Sequence, residues 1–234
     1  MTSYGAVENI FSEAVERLSR ERRRLHHLST QIEPQAFDRD GFLAMGRALS
    51  YVVMGGVLEC FMRDLPRALA TDVAALRIPR NSLPLGLIAA LEAPAFRKCG
   101  EGTIGALLAR TSILQGAVAH STDVRLVEDF SDSLRLADGS TVGQKNFEVL
   151  WALLDLPGDW RNSPNDVFLL REIKDKRNDV AHWEADPVDV GRSKRPTSLI
   201  EMVDQLIALL DHALLHICYW FEERMPLQIK TSGP

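Results

Sequence analysis

The chain has 234 residues, of which 46% are hydrophobic and 25% charged, enough to fill one large or two small domains around a real core. A net charge of −5 excludes a protein that coats nucleic acid by bulk electrostatics, while leaving room for a local basic site. The first thirty residues carry many charges and no apolar stretch of the signal-peptide kind, and the longest apolar run, near 49–61, is too short for a bilayer, so a soluble, cytoplasmic protein without a membrane partner is expected.

Apolar residues recur at helical spacing from about Ser3 to Gln31 (Val7, Ile10, Phe11, Ala14, Leu18), and the Glu33-Pro34 step ends that helix. A longer helix is predicted from about Asp38 to Leu76. Its middle, 49–61, is apolar nearly all round, as in a helix buried on several sides; Gly55-Gly56 would admit a neighbouring backbone and Pro66 would kink the later turns. Shorter helices are expected near Leu83–Leu91 and Thr103–Val118. The stretch from Ser121 to Lys145 is the least regular and reads as an insertion, with a small hairpin of Leu134-Arg135-Leu136 and Thr141-Val142 about the Asp138-Gly139 turn.

Helical spacing returns at Asn146 (Phe147, Leu150, Trp151, Leu154) and stops at Pro157-Gly158. Ser163-Pro164 is a start signal for a helix expected to run to Glu184 and to be closed by Asp186-Pro187. Ser198 and Glu201 have the spacing of a capping box, opening a last helix to about Arg224. The predicted fold class is all-α, a single domain over 1–234, with a core of long antiparallel helices. Cys60, Cys99 and Cys218 are odd in number and lack metal-ligand spacing, which fits reduced thiols.

Chemistry concentrates in Arg177-Asn178-Asp179-Val180-Ala181-His182. A guanidinium for phosphate and an imidazole for proton transfer within one short element suit phosphodiester chemistry without a metal. Spacing alone does not decide this, because Arg22 and His27 repeat it inside a run of like charges that reads as a solvated helix face. Arg177 differs in its company. At about 100° per residue it lies in the stripe of Leu170, Ile173, Val180 and Ala181, with Asn178 and His182 on the neighbouring face. A guanidinium aimed at a core face needs a carboxylate or a phosphate. Glu59, set between Leu58 and Cys60 in the most apolar helix, looks equally misplaced, so a charge-assisted contact between Glu59 and Arg177, with room for a two-point form, is predicted; the alternative is that Glu59 faces a gap or solvent at the helix edge.

The six-residue motif resembles the Arg-Asn-x-x-Ala-His form found in the HEPN superfamily, in particular its RiboL-PSP-HEPN branch. The likeness extends to the apolar helix from Arg47 to Leu65 with its internal Glu59-Cys60-Phe61, to the Trp-containing helix, loop and motif helix of 147–182, and to the last helix, about two-thirds of the chain in all. This chain departs from the pattern directly after the histidine, where many relatives have Gly and it has Trp183.

The resemblance implies a helical bundle working as a homodimer, with two motif helices forming a composite site that cuts RNA without a metal or other cofactor. It implies a toxin or phage-defence effector, with an antitoxin or defence-system partner protein. His182 would serve as general base or acid, Arg177 would hold the phosphate, Asn178 would position it or orient His182, and Glu59 and Asp179 would support them. The alternative implied by inactive members is a HEPN-fold interaction or antitoxin-type binding module. His212 and His216, at i and i+4 on the last helix, lack an H-E-x-x-H context and read as buried or interface histidines; P-loop, dinucleotide and nucleophile-elbow motifs are absent.

Overall fold

The computed structural model describes residues 4–30, 38, 40–93, 96, 104–119, 134, 136–137 and 141–224. These residues are all-α, with helices α1 Gly5–Thr30, α2 Phe42–Ala75, α3 Leu85–Leu91, α4 Ile104–Ala119, α5 Gln144–Leu154, α6 Asp166–Ala181, α7 Pro187–Arg192 and α8 Pro196–Arg224. Cys99, Glu33-Pro34, the Asp138-Gly139 turn and most of the predicted insertion lie outside them.

α1 packs along both α2 and α8 and runs antiparallel to each. The amides of Ala6 and Val7 donate to the Asp72 carboxylate near the end of α2, at 3.1 and 2.8 Å, so a buried side chain of one helix caps the start of the other. Burial nevertheless pushes the Asp72 carboxyl above its usual range. At the opposite end Arg24 binds Glu21 and donates to Ser50 Oγ (2.9 Å) and the Gly46 carbonyl (2.8 Å). Tyr4 stacks on Phe221 and donates to Glu222, and Arg22 pairs with Asp204 of α8 at 2.7 Å. Since α1 opposes both, α2 and α8 run parallel to one another, and the expected core of long antiparallel helices is built about α1.

α2 is the central helix. By length and composition it is long and apolar enough to cross a membrane, contrary to the count made over 49–61 alone, but here its apolar surface meets α1, α6, α7 and α8. Asp38 accepts from the amides of Leu43 and Ala44, both at 3.0 Å, and so caps the first turn from outside it. The helix continues through Pro66 to Ala75.

Three predicted boundaries move. Ser163-Pro164 form a turn in which Asp166 accepts from the Ser163 amide (2.7 Å), and α6 starts at Asp166 itself, fully buried and bonded to Gln205 of α8 (2.9 Å). Asp186-Pro187 does not close α6. It opens α7, with Asp186 accepting from the Val188 amide (2.8 Å) and Pro187 in the first turn. The last helix starts at Pro196, which places Ser198 inside its first turn rather than at a cap. No strand forms among the described residues of the predicted hairpin: Leu134, Leu136, Thr141 and Val142 are irregular chain with buried side chains. Asn146 holds this segment by donating to the Leu136 carbonyl (2.8 Å) while accepting from the Gly143 amide (2.9 Å).

α7 is pressed onto the start of α2. A Cβ on Gly191 would lie 1.7 Å from the Ala44 carbonyl oxygen, so only glycine fits, and Arg47 Nε donates to the Gly191 carbonyl at 2.7 Å. This contact fixes where the chain goes after α6, and with it the direction in which the end of α6 faces.

Candidate functional site

α6 lies against α2 in the same direction and is held at two levels. At the first, the hydroxyl of buried Tyr51 donates to Glu172 (2.8 Å), which also pairs with Lys194 (2.8 Å); burial and the carboxylate together push the Tyr51 phenol well above its usual range. Two turns further along α2 comes Glu59, and opposite it Arg177.

The Arg177 Nη2 sits 2.9 Å from Glu59 Oε1 and 3.2 Å from Oε2. The longer contact is the aligned hydrogen bond, and the shorter one is a charge contact off the N–H direction. The predicted pairing is therefore present, with one nitrogen straddling the carboxylate instead of a parallel fork. Nor is the pair sealed in the interior: the two side chains keep 23% and 28% of their surface exposed. α6 explains this, since Leu170 and Ile173 are buried, Arg177 and Val180 are half-buried, and Ala181 is exposed. The helix climbs out of the core along its length, and its apolar stripe ends in solvent.

Gly55, one turn before Glu59, makes room for the arginine. A Cβ there would lie 3.0 Å from Arg177 Cγ, whereas a Cβ on Gly56 would meet nothing within 4 Å. The glycine pair thus admits a side-chain stem at one position, not a neighbouring backbone at both. Gly55 and Glu59 share a face of α2 at i and i+4, one cradling the arginine's stem and the other its head.

Asn178 completes the cluster. Its Oδ1 accepts from Arg177 Nη1 (3.2 Å) and from the Thr141 hydroxyl (2.7 Å). Thr141 is buried and comes from the end of the segment predicted as a mere insertion. No local signal in the sequence marks it. Asp179 pairs with Lys176 (3.0 Å), and its carbonyl accepts from the amides of Glu184 (2.9 Å) and Ala185 (3.3 Å), so it secures the end of the helix.

His182 is the residue that caps α6, with its own amide bonded to the Asn178 carbonyl (3.0 Å). Its side chain is exposed, and among the described residues the imidazole has no hydrogen-bond or ion-pair partner. Trp183 follows with φ +57°, in the left-handed conformation that ends a helix most cheaply with glycine, and its ring is 76% exposed. A glycine there would take this conformation without the Cβ clash that Trp183 bears.

The rival Arg-x4-His pair is surface structure: Arg22 is spent on Asp204 and His27 is exposed. On α8, His212 Nε2 donates to the Asp159 carbonyl (2.9 Å) and its ring stacks on Trp151 at 5.8 Å, while His216 packs edge-on against His212 at 4.5 Å. Burial, with His212 beside it, lowers the pKa of His216. No cluster of three or more metal-binding side chains occurs among the described residues.

The arrangement offers a positioned guanidinium with donors to spare. With Nη2 on Glu59 and one Nη1 hydrogen on Asn178, Nε and the second Nη1 hydrogen remain for an anion. Five residues further on, at the cap of the same helix, is an exposed imidazole. Comparison with known proteins finds no family, no curated protein and no solved structure that this chain matches.

Proposed function

We propose that the chain is a metal-independent endoribonuclease of the HEPN type, acting as a homodimer in a toxin or phage-defence setting. The observation that carries this proposal is the Glu59–Arg177–Asn178 cluster at the end of the helix whose capping residue, His182, is exposed.

RNA supplies its own nucleophile, the 2′-hydroxyl next to the scissile phosphate. His182 takes the proton of that hydroxyl as its oxygen bonds to phosphorus, and the bond to the 5′-oxygen breaks. The leaving oxygen receives a proton from the complementary acid, which in a composite site is the histidine of the second copy. Arg177, held by Glu59, binds a phosphate oxygen and offsets the charge that develops there. The products are a 2′,3′-cyclic phosphate and a 5′-hydroxyl.

Support for pairing with a second copy comes from unpartnered apolar surface. Phe42, Met45 and Leu49 lie on one exposed stripe of α2 at i, i+3 and i+7, and Ala181 and Trp183 are exposed at the end of α6. The exposed Trp183 ring also favours a second reading, in which the same surface binds a partner protein and cuts nothing. Incubation with end-labelled RNA in EDTA separates the two. The ribonuclease yields cyclic-phosphate ends that disappear with Arg177→Ala; an interaction module leaves the RNA intact.

A further inference from the structure

A cavity of about 600 Å³ opens beside the motif, lined by Leu136, Thr141 and Gly143, by the first turns of α5 and by one face of α6. That volume lies in the range of sites that enclose a small organic ligand. Its wall is apolar at Leu136, Val149, Val167 and Leu170, and its edge carries Lys145, Arg171 and Lys174 against Glu148 and Asp175. Among the described residues none of these three cations forms an ion pair, although Lys176, Arg177 and Lys194 all do. Glu148 is engaged by Gln144 (2.6 Å). Lys145 and Lys174 are thus left without a partner carboxylate, while the Arg171 guanidinium lies over the Phe168 ring, 5.7 Å from its centroid, with its N–H edge still available.

The cavity borders the motif through one shared residue. Thr141 lines it, and the same hydroxyl donates to Asn178. Lys174 and Asn178 are i and i+4 on α6, so they share a face, and Lys174 lies about 12 Å along the helix axis from His182. An anionic polymer lying along this face would meet Arg171 and Lys174 first, then Asn178, then His182, with Arg177 on the flank toward α2.

We propose that this cavity holds a nucleotide of the bound RNA strand that flanks the scissile linkage, with its phosphate on Lys145, Arg171 and Lys174 and its base or ribose against the apolar wall. The proposal rests on the ribonuclease reading and extends it to a recognition site outside the Arg-x4-His motif. Phosphate contacts of this kind position a strand and make its binding salt-dependent.

The test uses the whole chain and a labelled 2′-O-methyl oligoribonucleotide, which binds but offers no 2′-hydroxyl. Lys145→Ala/Lys174→Ala should weaken binding about tenfold near 0.1 M salt and flatten the slope of log Kd against log salt by about 1.4, roughly 0.7 for each cation that contacts a phosphate of a single strand. Both lysines are exposed, so the melting temperature should stay at the wild-type value. Arg17→Ala/Arg20→Ala on α1 removes the same charge elsewhere and should leave Kd nearly unchanged. An unaltered Kd in the lysine variant, or an equal loss in the α1 variant, overturns the pocket. Cleavage of unmodified RNA in EDTA is read on the same proteins. RNA cut by wild type with Kd insensitive to the lysines ends the pocket and spares the nuclease. Oligonucleotide bound through the lysines but never cut ends the nuclease and leaves an RNA-binding pocket.

Discussion

Arg177 and Glu59, 118 positions apart in sequence, meet at 2.9 Å where the end of α6 leaves the core over the middle of α2. Each is an ionic residue on a largely apolar helix face, and each makes the other's position tenable. With about a quarter of both side chains exposed, the pair anchors the guanidinium without hiding it.

Glu59→Gln keeps the shape and removes the charge. Because the pair is partly solvated, the expected loss of stability is about 1–2 kcal/mol, between the values for surface and buried pairs. RNA cleavage should fall further than folding does, by about tenfold in kcat/KM, equivalent to about 1.4 kcal/mol of transition-state stabilisation. Chemical denaturation and initial rates on the same preparation check both.

The two adjacent glycines should separate cleanly. Gly55→Val drives methyl groups into the Arg177 stem, at a cost of about 1–3 kcal/mol and with loss of cleavage as the guanidinium leaves Glu59. Gly56→Ala meets open space and should stabilise the helix by up to about 1 kcal/mol, with activity retained. Melting curves of the two variants moving in the same direction would contradict this packing.

Trp183→Gly relieves the left-handed strain at the end of α6. Allowing for the extra freedom glycine gives the unfolded chain, the net gain is about 0.5–1 kcal/mol, measurable as a shift of the denaturation midpoint. Since the ring is mostly exposed, little packing is lost with it.

Much of this was legible before any coordinates. Periodicity located the long helices to within a few residues because their apolar faces repeat over many turns. The Glu59–Arg177 contact was readable because two charges were each out of place on apolar stripes. Thr141 was not readable: its bond to Asn178 spans 37 positions and comes from irregular chain, where no period exists to reveal a buried hydroxyl. The end of α6 was overestimated for another reason: Asp186-Pro187 reads as a stop, but the backbone already turns left-handed at Trp183, which no local pattern announces, and the exposure of Ala181 is equally invisible to periodicity.

His216 makes stability fall with acid. Its folded pKa lies below the ordinary value, through burial and the neighbouring His212, so below about pH 6.5 the unfolded chain takes up a proton that the folded one resists. The stabilisation is complete above that pH and is lost as pH falls through the folded pKa. The difference in melting temperature between pH 7.5 and pH 5.5 should be smaller in His216→Phe than in wild type; equal differences would show that this histidine contributes nothing to the trend.

The most direct measurement of the central claim is cleavage of end-labelled RNA in EDTA by wild type and by His182→Ala, with melting temperatures taken in parallel. The expected result is 2′,3′-cyclic phosphate ends from wild type, none above background from His182→Ala, and indistinguishable melting, because the exposed ring supports no packing. Undiminished cleavage by a folded His182→Ala protein, or intact RNA with wild type, would contradict it.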